Sequence, residues 1–316
     1  MPGTGTSRAA VKPQVAAHDG YYWIPQVCPI CKVPPTKFVG RRGGAAHRAA
    51  LGVECQIWRC GECGLVFPDP MPVPVEGIKQ HYELDAEQYF QHHELEGKTL
   101  CGSAMLRRAE ELTGRKGRML DIGAGRGELL RAGSEAGWLT VGIEPSASFA
   151  DQAEQYSGVE IKREPLEECN FPDASFDVVI LAAVLEHVDN PDQIIGEIAR
   201  ILRRGGALFL DVPNEQGLYF RVGNLYQRLS GRDWTVNLAP TFEPFHLFGF
   251  NATALRKLVT KHGFEVSDWR VYGGRSLLPR RSGLLGYLEQ QASELITAFS
   301  DLGGLGTYIE TWVVKQ

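Results

Sequence analysis

The sequence predicts an α/β protein built on a doubly wound sheet of seven strands, and three observations predict it. From Arg118 onward, apolar strand-like runs alternate with helical segments. The runs are continuously apolar, as strands covered on both faces by crossover helices must be. One of them opens Met119–Leu130, MLDIGAGRGELL, where a strand ends in an acid and a glycine-rich turn leads into a helix. In order, strands are expected at RMLDIG, LTVGIE (139–144), VEIK (159–162), FDVVILA (176–182), GGALFLDV (205–212), FEVSDWRVY and TYIETWVV. Helices are expected over 98–113, 128–136, 146–156, 189–202 and 253–262. The last strand alternates apolar residues and is expected to lie antiparallel at the sheet edge.

The glycine turn narrows the chemistry. Gly123, Gly125 and Gly127 let bare backbone N–H groups and a helix N-terminus approach a ligand without a Cβ clash. The dinucleotide fingerprint G-x-G-x-x-G needs its third glycine at position 128, where Glu128 stands, so NAD becomes the second choice. Asp121 puts a carboxylate where a pyrophosphate would be repelled and an ammonium welcomed. Glu144 ends the next strand, in the register where an acid grips the two hydroxyls of a ribose.

With 316 residues, 43% hydrophobic and 22% charged, the composition is that of an ordinary soluble globular protein with room for one large domain and a small appendage. No apolar run reaches the ~18 residues of a membrane span, and residues 1–20 lack the apolar stretch of a secretory signal. They read as a disordered lead-in to a cytoplasmic protein. A net charge of −5 without a large basic block argues against a nucleic-acid partner.

Four of the seven cysteines form two C-x-x-C knuckles, Cys28/Cys31 and Cys60/Cys63. Two such pairs in a reducing compartment read as a tetrahedral Zn²⁺ site, structural because sulfur fills all four positions, rather than as disulfides. Lys32–Arg59 is long enough for a hairpin with its loop at RRGGAAHR. Cys55 is a weaker substitute ligand, and Cys101 and Cys169 are expected to be buried hydrophobes. Phe67–Pro74 reads as a stiff proline-rich connector, with helix resuming near Val75. His92-His93 points in two directions on a helix and is read as solvated or substrate-facing.

These motifs resemble the class I S-adenosylmethionine-dependent methyltransferases with their Rossmann-like sheet, in the branch of small-molecule and sugar methyltransferases that carries an N-terminal zinc ribbon. The carriers are LDIGAGRGELL, Glu144, FPDASFDVVILAAVLEHVDNP, LRRGGALFLDVPN and HLFGFNATALRKLVTKHGF, preceded by CPIC, CGECGLVFPDP and HYELDAEQYF. The resemblance implies a lead-in over 1–20, a ribbon over 21–70, a helical linker or cap over 71–114 and a methyltransferase domain over 115–316. It implies that Asp121, Gly123, Ala124, Gly125 and Gly127 cradle the methionine part of S-adenosylmethionine and that Glu144 holds its ribose. Leu166 and Glu167 would flank adenine, with Leu181, Ala182 and Ala183 beneath the sulfonium.

On the acceptor side, His187 (in Glu186-His187) and His246 are the candidate general bases, since histidine can take a hydroxyl proton near neutral pH. The stretch 217–241, with Tyr219, Phe220, Tyr226 and Trp234, reads as a lid, because long excursions in compact domains are usually functional. The expected reaction is methyl transfer to an oxygen or carbon of a small acceptor such as a sugar, natural product or quinol. The rivals are an NAD-linked or nucleotide-sugar-modifying enzyme on the same fold, and a non-catalytic protein whose ribbon recruits a partner.

Overall fold

The computed structural model describes residues 17–76, 95–273 and 304–316, together with 283, 287, 290, 291, 294, 295, 299 and 300. Most of the lead-in and residues 77–94 of the expected linker, the His92-His93 pair included, lie outside the described residues.

The front of the chain makes two small sheets. Strands β1 (Tyr21–Ile24), β2 (Lys37–Arg42), β3 (Cys55–Arg59), β4 (Val66–Pro68) and β5 (Met71–Pro74) pair as β1-β5 and β2-β3-β4, all antiparallel. The expected hairpin is present as β2 and β3. The expected connector Phe67–Pro74 instead supplies the end of β4 and all of β5. Its prolines are tolerated because β5 pairs with β1 alone, leaving one side that needs no N–H donors.

The large sheet follows α1 (Leu95–Thr113). It comprises β6 (Arg118–Ile122), β7 (Leu139–Ile143), β8 (Ile161–Lys162), β9 (Phe176–Ala182), β10 (Leu202–Pro213), β11 (Phe264–Tyr272) and β12 (Tyr308–Lys315). Helices α2 (Glu128–Glu135), α3 (Ala147–Ser157), α4 (Pro191–Ile201), α5 (Leu218–Leu229) and α6 (Ala252–Lys261) connect or flank them. The strand order is β11-β12-β10-β9-β6-β7-β8, parallel from β10 to β8, with β12 antiparallel to both neighbours.

The last strand is antiparallel as expected, but it lies inside the sheet and β11 forms the edge. Its burial gives the reason. Ile309 and Val313 join the core under α4 and α6, while Trp312 points to the opposite face and packs on Phe209. A strand apolar on both faces needs a neighbour on each side and cover above and below.

The continuously apolar runs divide as the pleat requires. Leu120, Val179, Leu181, Leu208 and Leu210 face Ile194, Ile195, Ile198, Leu255 and Leu258, whereas Met119, Val178, Ile180 and Phe209 face Leu106 and Ala109 of α1. Each fully buried side chain of this kind contributes roughly 1.5–3 kcal/mol.

The segment that carries the two cysteine knuckles is fused to this core. Cys28, Ile30, Cys63, Leu65 and Phe67 belong to the same buried cluster as Leu247, Phe248 and Phe250. Asn251 caps α6, accepting from the amides of Thr253 (2.9 Å) and Ala254 (3.1 Å), and its Nδ2 donates to the Cys63 carbonyl at 3.2 Å. The 217–241 excursion is α5 followed by a strap stitched to the β2-β3 hairpin. The Arg41 amide donates to Asp233 O (2.8 Å), the Thr235 amide to Arg41 O (2.9 Å) and Arg42 Nε to Leu238 O (3.0 Å). No helix among the described residues is long and apolar enough to cross a membrane.

Candidate functional site

The segments after β6, β7, β9 and β10 meet at the carboxyl edge of the sheet, where open α/β sheets bind ligands. After β6 the chain turns through Gly123, Gly125 and Gly127 at φ of +74°, +55° and +80°, a region that L side chains rarely occupy. A Cβ at position 123 would stand 2.5 Å from Val184 Cγ2, and one at 127 would stand 2.9 Å from the Ala153 carbonyl. The Gly123 and Ala124 amides both donate to Ile143 O, at 2.8 and 3.1 Å. Glu144 accepts the Gly125 amide at Oε2 (3.2 Å) and the Ser146 amide at Oε1 (3.1 Å), so it braces the turn it faces.

Three acids converge here. Burial, and after it the charges of Glu144 and Glu128, push the Asp121 carboxyl up to about 7. Burial also raises Glu144, against its two backbone hydrogen bonds. Glu128 Oε1 is buried with no hydrogen-bond partner, and no cation among the described residues forms an ion pair with any of the three. A glycine cradle lined by the buried Asp121 and the half-buried Glu128 and Glu144 suits a cationic ligand that also bears hydroxyls. Of the other expected cofactor residues, Leu166 and Leu181 are closed into the core, while Glu167 and Ala182 are exposed. Leu181 can therefore meet a ligand only through its backbone.

Beyond β9, Ala183 adopts φ +54°, and the chain brings Glu186 and His187 opposite His246. The imidazole rings lie 4.8 Å apart, and Nε2 of each is 3.9 Å from Glu186 Oε1. Burial lowers His187 to about 4 and His246 to about 3, the latter with help from His187, and raises Glu186 to about 8. At neutral pH the imidazoles are therefore uncharged. His187 Nδ1 lies 3.3 Å from the Phe245 carbonyl. Because a carbonyl only accepts, that contact places the ring proton on Nδ1 and leaves the Nε2 lone pair free.

Sequence reasoning named Glu186 only as the neighbour of His187 and overlooked Asp211, Tyr272 and Tyr308. Tyr272 Oη donates to Asp211 (3.2 and 3.3 Å) and stacks on Tyr308, whose phenol is raised by burial and by the charges of Asp211 and Glu186. The one available signal was Asp211 near the carboxyl end of its strand. The tyrosines come from two separated strands and share no motif.

The two knuckles form a second constellation. The Sγ atoms of Cys28, Cys31, Cys60 and Cys63 lie within 4.8 Å of one another, with Cys28 and Cys63 at 3.6 Å. Both knuckles close alike: the Lys32 amide donates to Cys28 O and the Gly64 amide to Cys60 O, at φ of +60° and +76°. Lys257 Nζ donates to Cys31 Sγ at 3.0 Å. Four sulfurs bound tetrahedrally at about 2.3 Å would stand about 3.8 Å apart, close to the spacing present. Cys55 is outside the group, its thiol donating to Val53 O at 3.6 Å and pushed up to about 12 by burial. Cys169 is half-buried rather than buried, and the Cys101 side chain lies outside the described residues.

Residues 90–268, more than half of the chain, match the methyltransferase domain family, and the chain belongs to it. It is 30% identical over 201 residues to a probable S-adenosylmethionine-dependent methyltransferase of Mycolicibacterium smegmatis, covering 63% of this chain and 68% of that one. It is also 30% identical over 196 residues to a probable S-adenosylmethionine-dependent methyltransferase of Mycobacterium tuberculosis, covering 62% of each. A ubiquinone biosynthesis O-methyltransferase of Bradyrhizobium sp. is 32% identical over 102 residues, 31% of this chain and 40% of that one. S-Adenosylmethionine is the methyl donor of the family, which displaces the NAD alternative.

Proposed function

We propose that this chain methylates an oxygen or carbon of a small hydroxylated acceptor, with the acceptor's proton taken by His187 or His246. The observation that carries the reading is the pair of uncharged imidazoles facing one buried glutamate oxygen. They sit just past Val184, the residue packed on the first glycine of the cradle. In this reading Asp121, Gly123, Ala124, Gly125 and Gly127 hold the methionine end of S-adenosylmethionine, Glu144 the ribose, and Leu166, Glu167, Leu181 and Ala182 the flanks. Bound there, S-adenosylmethionine supplies an electrophilic methyl group on a sulfonium.

The chain's own residues do the rest. A neutral imidazole Nε2 accepts the hydroxyl proton as the acceptor oxygen attacks, with the buried Glu186 carboxyl 3.9 Å from both rings. The α5 excursion and its strap, 217–241, act as a lid that positions the acceptor, and positioning supplies much of the rate of an in-line displacement. The likeness to a ubiquinone biosynthesis O-methyltransferase supports a quinol or catechol as one acceptor to try. Residues 21–70 form a ribbon whose four cysteines hold a structural Zn²⁺, a reading supported by sulfur spacing and by the absence of any other cation than Lys257 bonded to the cluster among the described residues.

The test is incubation of the purified chain and S-adenosylmethionine with quinols, catechols, sugars and nucleotide sugars, read by mass spectrometry. One acceptor should gain a methyl group, and the gain should vanish in the His187→Ala or the His246→Ala variant. An acceptor methylated equally well by both variants would overturn the base assignment.

A further inference from the structure

Between the ribbon and the α5 excursion, arginines outnumber the acids they face. Arg42 and Arg59 project from β2 and β3, Arg48 from the hairpin loop, and Arg221 and Arg228 from α5. Among the described residues the carboxylate that acts on both Arg42 and Arg59 is Glu215, 4% exposed, which accepts from Asn237 Nδ2 and is pushed up to about 7 by burial. Arg42 is anchored by its bond to Leu238 O and by lying 5.0 Å from the centre of the Phe242 ring. Arg59 has no such anchor. Its Nε is buried with no hydrogen-bond partner, and its guanidinium is held below its ordinary pKa by burial and by the facing Arg228 and Arg221, offset only by Glu215. Arg48 lies 5.7 Å from the centre of the Tyr226 ring of α5.

A buried guanidinium nitrogen without a partner, as at the half-buried Arg59, is costly, and the protein as a whole is acidic, so general electrostatics does not account for the cluster. We infer that this seam between ribbon and excursion is an anion subsite that binds a phosphoryl or diphosphoryl group of the methyl acceptor. Once Glu215 is set against one arginine, several positive charges remain, more than a single carboxylate would match. A phosphoryl group offers two or more negative charges and the oxygen pairs that guanidinium forks bind in parallel.

The seam is also placed to serve the site. Glu215 lies against Gly249, where a Cβ would collide with its side chain, and the Ala239 amide donates to His246 O at 3.3 Å. The loop 238–249 therefore has Arg42 at one end and the histidine pair along its length. The inference rests on the acceptor reading above and makes the ribbon an acceptor-binding element as well as a metal-binding one.

The experiment is calorimetric titration of inorganic diphosphate, and separately of a nucleoside diphosphate, into the full-length zinc-loaded chain without S-adenosylmethionine. The parent should bind both, more weakly as salt is raised, and Arg59→Gln should weaken binding tenfold or more. Because Arg59 adjoins Cys60, the exposed Arg221→Glu serves as a second variant with the same expected loss, and Arg204→Gln as the control without loss. Tighter binding of the nucleoside diphosphate assigns the subsite to a nucleotide-linked acceptor; equal binding assigns it to the phosphoryl group of a simpler one. No binding of either probe by the parent, or equal binding by parent and both variants, overturns the subsite. Methyl transfer is not read, so failure here leaves the transfer reaction standing, and failure of transfer leaves the subsite standing.

Discussion

Glu144 Oε2 accepts the amide proton of Gly125 at 3.2 Å, so the acid at the end of β7 holds the shape of the turn at the end of β6. Each oxygen accepts a single backbone amide, Gly125 at Oε2 and Ser146 at Oε1. Glu144→Ala should therefore lower S-adenosylmethionine affinity tenfold or more, roughly 1.5–3 kcal/mol for hydrogen bonds to a charged group. Glu144→Gln, which keeps an acceptor oxygen, should lose less. Calorimetry measures both, and parent-like binding by Glu144→Ala would show that the cofactor lies elsewhere.

Metal analysis of the purified chain should find about one zinc per molecule, since four thiolates close a tetrahedron. Cys63→Ser should lose the metal and Cys55→Ser should keep it, because only the former belongs to the sulfur cluster. Chelation should also lower the melting temperature of the whole chain, the knuckle residues being part of the main core. A chelated protein that melts like the loaded one would falsify this coupling.

Loss of the base should cost ~10²- to 10⁴-fold in kcat. With an acceptor in hand, His187→Ala or His246→Ala should show that loss while S-adenosylmethionine affinity stays near the parent's. The free Nε2 of His187 makes it the first variant to assay. Glu186→Gln should lower kcat less, because burial holds the Glu186 carboxyl largely uncharged at neutral pH. If all three variants turn over within about threefold of the parent, positioning alone carries the reaction.

Asp192, at the start of α4, binds Lys32 of the first knuckle (2.9 Å), Lys261 (2.7 Å) and His262 (2.8 Å). Burial works to raise its carboxyl, but the hydrogen bonds from Lys261, His262 and Lys32 prevail and hold it down to about 2, from an ordinary 3.8. A carboxyl depressed in the folded state stabilises above its unfolded pKa and loses that contribution as pH falls through the folded value. Solvent screening of the lysines limits the effect to the order of 1 kcal/mol. Asp192→Asn should thus melt a few degrees below the parent at pH 7, with the gap closing between about pH 4 and 2. A constant gap in thermal melts across that range would rule the linkage out.

The strands from β6 to β10 were legible because burial on both faces writes an unbroken apolar run, and Glu144 was legible because its register follows from the turn before it. The position of β12 was not, since alternation along a strand says nothing about which strands lie beside it. Glu186 and His187 could be read as neighbours, but only the fold brings His246 to them. Arg42 and Arg59 were invisible as a site because an arginine in a short strand reads as solvent-facing. Its burial depends on the strap at 233–241 being laid over it, a contact between distant segments. The proline stretch misled for a similar reason: local stiffness was correctly inferred, and the pairing of β5 with β1 was not.

The place of β12 has a consequence for how the molecule is assembled. Strands β10 and β11 never touch each other as a ladder; residues 308–315 join them, and those residues are made after both. A nascent chain halted before Tyr308 carries the apolar strand β10 and the mixed strand β11 with open backbone edges, the arrangement on which chains associate wrongly. Completion of the sheet has to wait for Tyr308–Lys315, so exposure to aggregation rises with the time taken to synthesise and close the interval between Tyr272 and Tyr308.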